Sequence, residues 1–168
     1  MNSTSPMAAP ARRRGKTEML KVGDLAPEFS AQDQHGQPIS LTGLLERGRL
    51  VLYFYPKDFT PVCTAQACTF RDASTELGSL SANVVGVSGD VLDSHQRFAE
   101  KHSVPFSLIA DPERRIIKPY KAMVPLINHT LRATYVIDTN RRVLGAFHHE
   151  FSAAKHLEDV KRALESRV

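Results

Sequence analysis

The segment that most constrains the fold is a buried strand followed closely by the start of a helix. Residues 50–55 form a continuous apolar and aromatic run that Pro56 stops, which is typical of a strand buried on both faces of a sheet. Thr60 and Pro61 then suit the N-cap and the first position of a helix. A strand leading into a helix is the beginning of a β–α–β unit, so this segment predicts an α/β fold.

The rest of the chain continues this alternation. Strands are expected at residues 50–55, 83–88, 106–110, 132–138 and 142–147, with a short strand or hairpin within 21–41. Helices are expected at residues 60–77, 93–102, 112–120 and 153–166. The last two strands flank a turn and are predicted to be antiparallel, whereas the earlier strands alternate with helices and are predicted to be parallel. The prediction is a mixed central sheet with helices on both faces, of which a thioredoxin-like arrangement is one example.

The net charge of +4 is carried by the first 17 residues. These contain three arginines, one lysine and no acidic residue, which leaves 18 basic and 18 acidic side chains in the remainder. A nucleic-acid-binding domain carries its excess charge on a folded face, so no nucleic-acid partner is expected. We interpret residues 1–18 as a disordered basic tail and residues 19–168 as one domain.

The sequence contains neither a membrane span nor a secretory signal that we recognise. No run of about 18 apolar residues is present, and the tail lacks the apolar core of an export signal. These features predict a cytoplasmic protein with no membrane association, and the Arg-rich tail leaves an organelle transit peptide as the alternative. In a reducing compartment, Cys63 and Cys68 are expected to perform redox chemistry or bind metal rather than form a lasting structural disulfide.

Cys63 falls on the first turn of the predicted helix at 60–77. Free N–H groups and the positive end of the helix dipole would stabilise a thiolate there. In an unbroken helix the Cα atoms of Cys63 and Cys68 would be roughly 8.6 Å apart, whereas a disulfide needs about 4.4–6.8 Å. If this pair is redox-active, the first turn must therefore unwind in each cycle.

A family resemblance appears at this site. Residues 56–63, Pro-Lys-Asp-Phe-Thr-Pro-Val-Cys, match the peroxiredoxin pattern P-x-x-x-T-x-x-C. The continuation through Asp72 resembles the bacterioferritin comigratory, or Q-type, group, in which a second cysteine lies five residues after the first. Similar stretches are found at 87–90, 97–102, 104–111 and 132–138, and the resemblance extends from about residue 21 to residue 164.

The resemblance implies a thioredoxin-like peroxiredoxin fold and thiol-dependent reduction of hydrogen peroxide and organic hydroperoxides. Cys63 would attack the peroxide and become a sulfenic acid, and Cys68 would condense with it to form a disulfide. Thr60 would offer its hydroxyl to the thiolate and to a peroxide oxygen. Pro56 would shield the sulfur from water, and Arg132 would place a permanent cation beside it.

The resemblance also implies how the enzyme is regenerated and assembled. Thioredoxin or a similar dithiol would reduce the disulfide, since the chain has no third cysteine. No cofactor or metal ion is implied. Q-type relatives are often monomers, so a monomer is expected, with a dimer as the alternative.

Two departures from the family pattern bear on the substrate. Val62 occupies a position where many members have glycine, and residues 123–129 are shorter and more apolar than in many relatives. Because residues 123–129 flank the predicted site, they hint at lipid hydroperoxides as substrates alongside hydrogen peroxide.

Three other functions fit part of the pattern. A metal-binding redox module would use Cys63 and Cys68 with the adjacent histidines at 148–149. A Cys-His hydrolase would need one of the scattered histidines beside Cys63. A thioredoxin-like disulfide oxidoreductase would use both cysteines, although its usual spacing is C-x-x-C.

Overall fold

The secondary structure follows the predicted alternation of strands and helices. The structure is a computed structural model that describes residues 18–166. Its strands are β1 (Ser30–Gln32), β2 (Pro38–Ser40), β3 (Arg49–Phe54), β4 (Ala82–Ser88), β5 (Ser107–Ala110), β6 (Ala133–Ile137) and β7 (Val143–His148). Its helices are α1 (Leu41–Leu45), α2 (Pro61–Asp72), α3 (Ser74–Ser79), α4 (Leu92–His102) and α5 (Ala153–Glu165).

A five-stranded mixed sheet forms the centre of the fold. Its strand order is β5-β4-β3-β6-β7, and β1 and β2 form a separate antiparallel hairpin. β3 pairs in parallel with β4 and antiparallel with β6, while β4 and β5 are parallel and β6 and β7 antiparallel. The predicted mixed sheet is therefore confirmed, and its central strand is the apolar run that the sequence indicated.

The central strand separates two hydrophobic cores. Leu50, Leu52 and Phe54 point into one core, which is covered by α1 and by residues 116–122. Val51 and Tyr53 alternate with them and point into the second core, formed with α2, α3, α4 and α5. Because successive side chains of a strand face opposite sides, a fully apolar strand requires cover on both faces of the sheet. Helices therefore lie on both faces of the sheet, with α1 on one face and α2, α3, α4 and α5 on the other.

Two predicted helices differ from the structure. The single helix expected at 60–77 is divided into α2 and α3, and near the division the Ser74 hydroxyl donates to the carbonyls of Phe70 and Arg71. The helix expected at 112–120 is a series of turns. There the Asp111 carboxylate accepts the N–H groups of residues 115–117 and so competes with a regular helix. The short helix α1, which we did not predict, is capped by Ser40.

The predicted tail falls outside the described residues, except for Glu18. Within residues 18–166, no helix has the length and apolar character that crossing a membrane requires.

Candidate active site

The Cys63 thiol is buried on the first turn of α2. Thr60 has the extended backbone of an N-cap residue, Pro61 begins the helix, and Cys63 is 1% exposed. The Thr60 side chain does not cap the helix; its hydroxyl donates instead to the carbonyl of Lys57 at 2.8 Å. The sulfur therefore lies at the positive end of a helix dipole, near N–H groups that have no partner within the helix.

Arg132 approaches this sulfur from the neighbouring strand. Nη2 of Arg132 donates to Sγ of Cys63 at 3.2 Å, and the arginine is 4% exposed. The contact follows from sheet topology, because Phe54 at the end of β3 pairs with Ala133 at the start of β6. The antiparallel pairing therefore places Arg132, the residue before β6, at the end of the sheet where β3 leads into the loop before α2.

Three acceptors fix the orientation of the Arg132 guanidinium. Besides the sulfur, these are the side-chain oxygen of Gln66 at 3.0 Å from Nη1 and the main-chain oxygen of Glu150 at 2.9 Å from Nε. Gln66 is fully buried. Sequence reasoning identified neither residue. The spacing of three residues from Cys63 to Gln66 places both on one helix face and could have indicated Gln66, whereas no sequence signal indicates the Glu150 carbonyl.

The Glu150 side chain adds a charged group behind the guanidinium. Its carboxylate accepts from Nε2 of His148 at 2.7 Å and from the Arg132 main-chain N–H at 3.4 Å. Burial alone would raise the pKa of Glu150, but these hydrogen bonds and the nearby cationic groups lower it overall. The carboxylate therefore stays ionised at neutral pH and helps to hold the backbone that carries Arg132.

A buried phenol lies in the same core cluster as Cys63. Tyr53 is 1% exposed, and within the described residues its hydroxyl has no hydrogen-bond partner. Burial, with smaller contributions from the charges of Asp58 and Cys63, raises the pKa of Tyr53 well above its ordinary value. The phenol therefore stays protonated and leaves the thiol site without a second anion.

Cys68 lies on the same uninterrupted helix. Both thiols are free, with Cys63 buried and Cys68 half-buried. Since α2 spans Pro61–Asp72, both cysteines are helical, and the ideal Cα separation of roughly 8.6 Å applies. A disulfide between them requires this helix to change shape. Pro56, the remaining predicted site residue, is half-buried in the loop between β3 and α2.

The geometry does not favour a Cys-His hydrolase or a cysteine metal site. Within residues 18–166, no histidine hydrogen-bonds to the Cys63 sulfur, which accepts a hydrogen bond from Arg132. In the same part of the chain, one cluster of three potential metal ligands is found, at Asp58, Asp90 and His95, and it contains neither cysteine. A guanidinium in contact with the sulfur would repel a metal cation.

Comparison with known sequences gives the family. Residues 22–145 match the model of the AhpC/TSA family. A chloroplastic peroxiredoxin Q of Sedum lineare is 38% identical over 162 residues, which cover 95% of this chain and 86% of the relative. A chloroplastic peroxiredoxin Q of Arabidopsis thaliana is 38% identical over 148 residues, which cover 88% of this chain and 68% of the relative.

Solved structures give the same result. The crystal structure of peroxidoxin BcpB from Mycobacterium tuberculosis has a TM-score of 0.83 and 35% identity, covering 88% of this chain and 97% of that one. The bacterioferritin comigratory protein of Xanthomonas campestris, studied for its alkyl peroxide reduction activity, has a TM-score of 0.76 and 25% identity, covering 83% and 91%. These matches confirm the thioredoxin-like fold and the resemblance to the Q-type group. The chain therefore belongs to the AhpC/TSA family and is a peroxiredoxin, a thiol-dependent peroxidase.

Proposed function

We propose that Cys63 is the peroxidatic cysteine and that Cys68 resolves its oxidised form. The observation that carries this proposal is the 3.2 Å contact between Nη2 of Arg132 and the buried Sγ of Cys63 at the start of α2. A cation and free N–H groups stabilise the thiolate, which is the reactive form of a cysteine. Peroxide chemistry needs this anion in a site that also accommodates new negative charge on oxygen.

In the first step, the Cys63 thiolate attacks one oxygen of the peroxide. The S–O bond forms as the O–O bond breaks, and the second oxygen leaves as hydroxide or alkoxide and takes up a proton. The products are a sulfenic acid and water or an alcohol. Arg132 stabilises the charge developing on the leaving oxygen, because its guanidinium is permanently charged and already oriented by its other acceptors.

Thr60 and Pro56 are assigned supporting roles. The Thr60 hydroxyl has one proton, which it donates to the Lys57 carbonyl, so it can donate to a peroxide oxygen only after releasing that carbonyl. Pro56 lies in the preceding loop and excludes bulk water from the thiolate. Both residues belong to the family motif that ends at Cys63.

In the second step, the Cys68 thiol attacks the sulfenic sulfur. The S–S bond forms and the S–O bond breaks, releasing water. The first turn of α2 unwinds to bring the two sulfurs together. An external dithiol, thioredoxin or a similar protein, then reduces the disulfide, and one chain suffices because both cysteines lie in the same segment.

Organic hydroperoxides are proposed as substrates beside hydrogen peroxide. The Xanthomonas campestris relative is described by its alkyl peroxide reduction activity. In this chain, Leu126, Ile127 and Phe151 are large apolar residues that are exposed, and they lie on the segments before Arg132 and after Glu150. Apolar surface beside these segments would favour a peroxide with an alkyl chain.

Replacement of each cysteine tests this assignment. Cys63→Ser is expected to abolish peroxide reduction, whereas Cys68→Ser should consume one equivalent and stop as a sulfenic acid. Intact mass after one equivalent of peroxide should show the wild-type chain lighter by two hydrogens, with peptide mapping joining Cys63 to Cys68. Near-normal turnover of Cys63→Ser, or a disulfide that joins two chains, would contradict the proposal.

The compartment stays a prediction. The sequence predicts the cytoplasm with an organelle as the alternative, and the Sedum and Arabidopsis relatives are named chloroplastic, which supports organelle targeting. Fusing residues 1–18 to a fluorescent protein distinguishes these outcomes, since an import signal would carry the reporter out of the cytosol.

A further inference from the structure

A buried aspartate–histidine pair lies next to the thiol site and has none of the roles assigned above. Asp58, in the loop between β3 and α2, is 3% exposed, and His95, on α4, is fully buried. Oδ2 of Asp58 lies 2.7 Å from Nδ1 of His95. A buried carboxylate is strongly unfavourable unless it is paired and hydrogen-bonded, so this arrangement stabilises one particular position of the loop.

Hydrogen bonds engage both ring nitrogens of His95. Nε2 of His95 lies 3.0 Å from the main-chain oxygen of Ile109, which can only accept. Nδ1 faces the Asp58 carboxylate, which also accepts from the hydroxyls of Tyr55 at 2.6 Å and Ser94 at 2.8 Å. The Asp58 carboxyl group thus has three hydrogen-bond partners and the ring has one at each nitrogen, so the pair is a fully satisfied buried contact.

The same loop is held at its main chain. The N–H of Asp58 donates to the Asp90 carboxylate at 2.8 Å, which the hydroxyl of Ser88 also contacts at 2.6 Å. Side chain and main chain of Asp58 are therefore both attached to the body of the protein, through α4 and the end of β4.

The next residue, Phe59, has a backbone conformation that needs support. Its φ of 63° is in the left-handed region, which is unfavourable for a bulky side chain. Its ring packs edge-on against Phe98 of α4 at 5.3 Å, and the Lys101 ammonium lies 5.8 Å from its centroid. Thr60, the N-cap of the peroxidatic helix, follows directly, so the anchored loop ends where α2 begins.

We propose that Asp58 and His95 are positioning residues that hold the first turn of α2 in the conformation that reacts with peroxide. This inference rests on the proposed function of Cys63. The pair touches neither sulfur nor peroxide; it fixes the loop from which the N-cap and the helix start extend. Weakening it lowers the fraction of molecules in which Cys63 faces Arg132, and the observed rate with peroxide falls in proportion to that fraction.

The two chemical steps depend on this pair in opposite ways. Oxidation of Cys63 needs the wound first turn, and disulfide formation with Cys68 needs the unwound one. Loss of the anchor therefore slows the first step and leaves the second unchanged or faster. A general loss of stability would not slow the first step while sparing the second. Comparing the rates of the two steps therefore tests for a positioning role.

These side chains also resemble a metal site in composition. Ligand atoms of Asp58, Asp90 and His95 lie within 4.8 Å of one another. However, the hydrogen bonds given above already occupy both ring nitrogens of His95 and both carboxylate oxygens of Asp58. The protein's own hydrogen bonds therefore account for these groups without a metal ion.

The test compares both steps in Asp58→Asn with those of the wild-type chain. Rapid quenching with an alkylating reagent, followed by intact-mass measurement, separates reduced, sulfenic and disulfide forms over time. We expect oxidation of Cys63 by hydrogen peroxide to slow by roughly tenfold or more, as for loss of a hydrogen bond to a charged group, and disulfide formation not to slow. Asp93→Asn is the matched control, because Asp93 is an exposed carboxylate on α4, the helix that carries His95.

A second control separates positioning from stability. Val143→Ala removes buried apolar contact at the start of β7, at the far end of the β6–β7 pairing from Arg132. It should lower the melting temperature without changing either step. If Asp58→Asn oxidises at the wild-type rate, or if both its steps slow by the same factor, the proposal is wrong.

A milder variant, Ser94→Ala, keeps the proposal testable if Asp58→Asn fails to fold. Ser94→Ala removes one donor from the Asp58 carboxyl group and leaves the contact between Asp58 and His95, so it should slow oxidation by a smaller factor, again without slowing disulfide formation. Where both single variants fold, the double variant Asp58→Asn, His95→Gln should lose less than the product of the two single losses, since neither group is left buried without its partner. The inference would be overturned if Cys63 in Ser94→Ala were oxidised at the wild-type rate. It would also be overturned if the rate loss in the double variant equalled the product of the two single losses.

Failure of the inference and failure of the proposed function give different results. If the proposed function is wrong, Cys63→Ser keeps peroxide turnover. If only the positioning role is wrong, Cys63 remains essential, and Asp58→Asn either behaves like Asp93→Asn or slows both steps by the same factor.

Discussion

At the scale of single residues, the notable feature is a guanidinium whose donors are distributed among three different acceptors. Nη2 of Arg132 binds the sulfur of Cys63, Nη1 binds Gln66, and Nε binds the Glu150 carbonyl. A planar side chain held at three points keeps its charge beside the sulfur throughout the reaction. A lysine could supply the charge but not this set of fixed directions.

Arg132→Lys is therefore expected to lower the second-order rate constant with peroxide by about 100-fold, as for loss of an oriented donor to a developing oxyanion. Competition with a heme peroxidase for limiting hydrogen peroxide measures this constant. Arg97→Lys is the matched control, because Arg97 is an exposed arginine paired only with its helix neighbour Asp93 among the described ion pairs. A loss of less than about threefold in Arg132→Lys would show that charge alone suffices.

At the scale of secondary-structure elements, α2 carries both cysteines and must serve two conformations. Its first hydrogen bond runs from the Thr64 N–H to the Thr60 carbonyl at 2.9 Å, within the turn that carries Cys63. The loop before this turn is anchored through Asp58, and Phe70 is buried in the core on the far side of Cys68. Unwinding is therefore expected to be confined to the turns between these two anchors.

Hydrogen exchange tests how far the helix unwinds. In the Cys63–Cys68 disulfide, residues 60–69 should exchange faster than in the reduced chain, because their helical N–H groups lose their acceptors. α5 packs against the same core and should keep its protection, which makes it the internal control. Unchanged exchange at residues 60–69 in a disulfide confirmed by mass would contradict the unwinding argument.

At the scale of the whole molecule, a second buried histidine links stability to pH. His156 on α5 is fully buried. Its Nε2 lies 2.8 Å from the His149 carbonyl, and its Nδ1 lies 2.9 Å from the Thr134 hydroxyl. A neutral ring satisfies both contacts, since Nε2–H donates to the carbonyl and Nδ1 accepts from the hydroxyl. Burial lowers the pKa of His156 to about 4, against an ordinary value of 6.5.

This depressed pKa makes the protein less stable in acid. Between pH 6.5 and about 4 the unfolded chain binds a proton at His156 that the folded chain does not, so stability is lost as the pH falls through this range. The contribution lost is on the order of 3 kcal/mol at the lower end. Urea denaturation at pH 7 and pH 4.5 should show a smaller loss in His156→Gln than in the wild-type chain. The exposed variant His35→Gln should behave like wild type, and equal losses in all three chains would contradict the assignment.

The sequence by itself determined the local parts of the site. The apolar run at 50–55 specifies a strand buried on both faces, and Thr60 with Pro61 places the helix start so that Cys63 falls on its first turn. The spacing from Cys63 to Cys68 sets their separation as long as the helix is intact. These features depend on residues close together in the chain, whose conformational preferences act before any tertiary contact forms.

Only the tertiary structure decided which distant groups meet at the sulfur and in the loop beside it. Arg132 reaches Cys63 because β6 pairs with β3, and Asp58 meets His95 because α4 packs beside the loop before α2. At residues 112–120, by contrast, a local contact replaced the predicted helix, because the buried Asp111 carboxylate takes the N–H groups of residues 115–117 that a helix would use internally. Hydrogen bonds across a fold depend on strand register and packing, which are set by the whole core rather than by any short stretch of sequence.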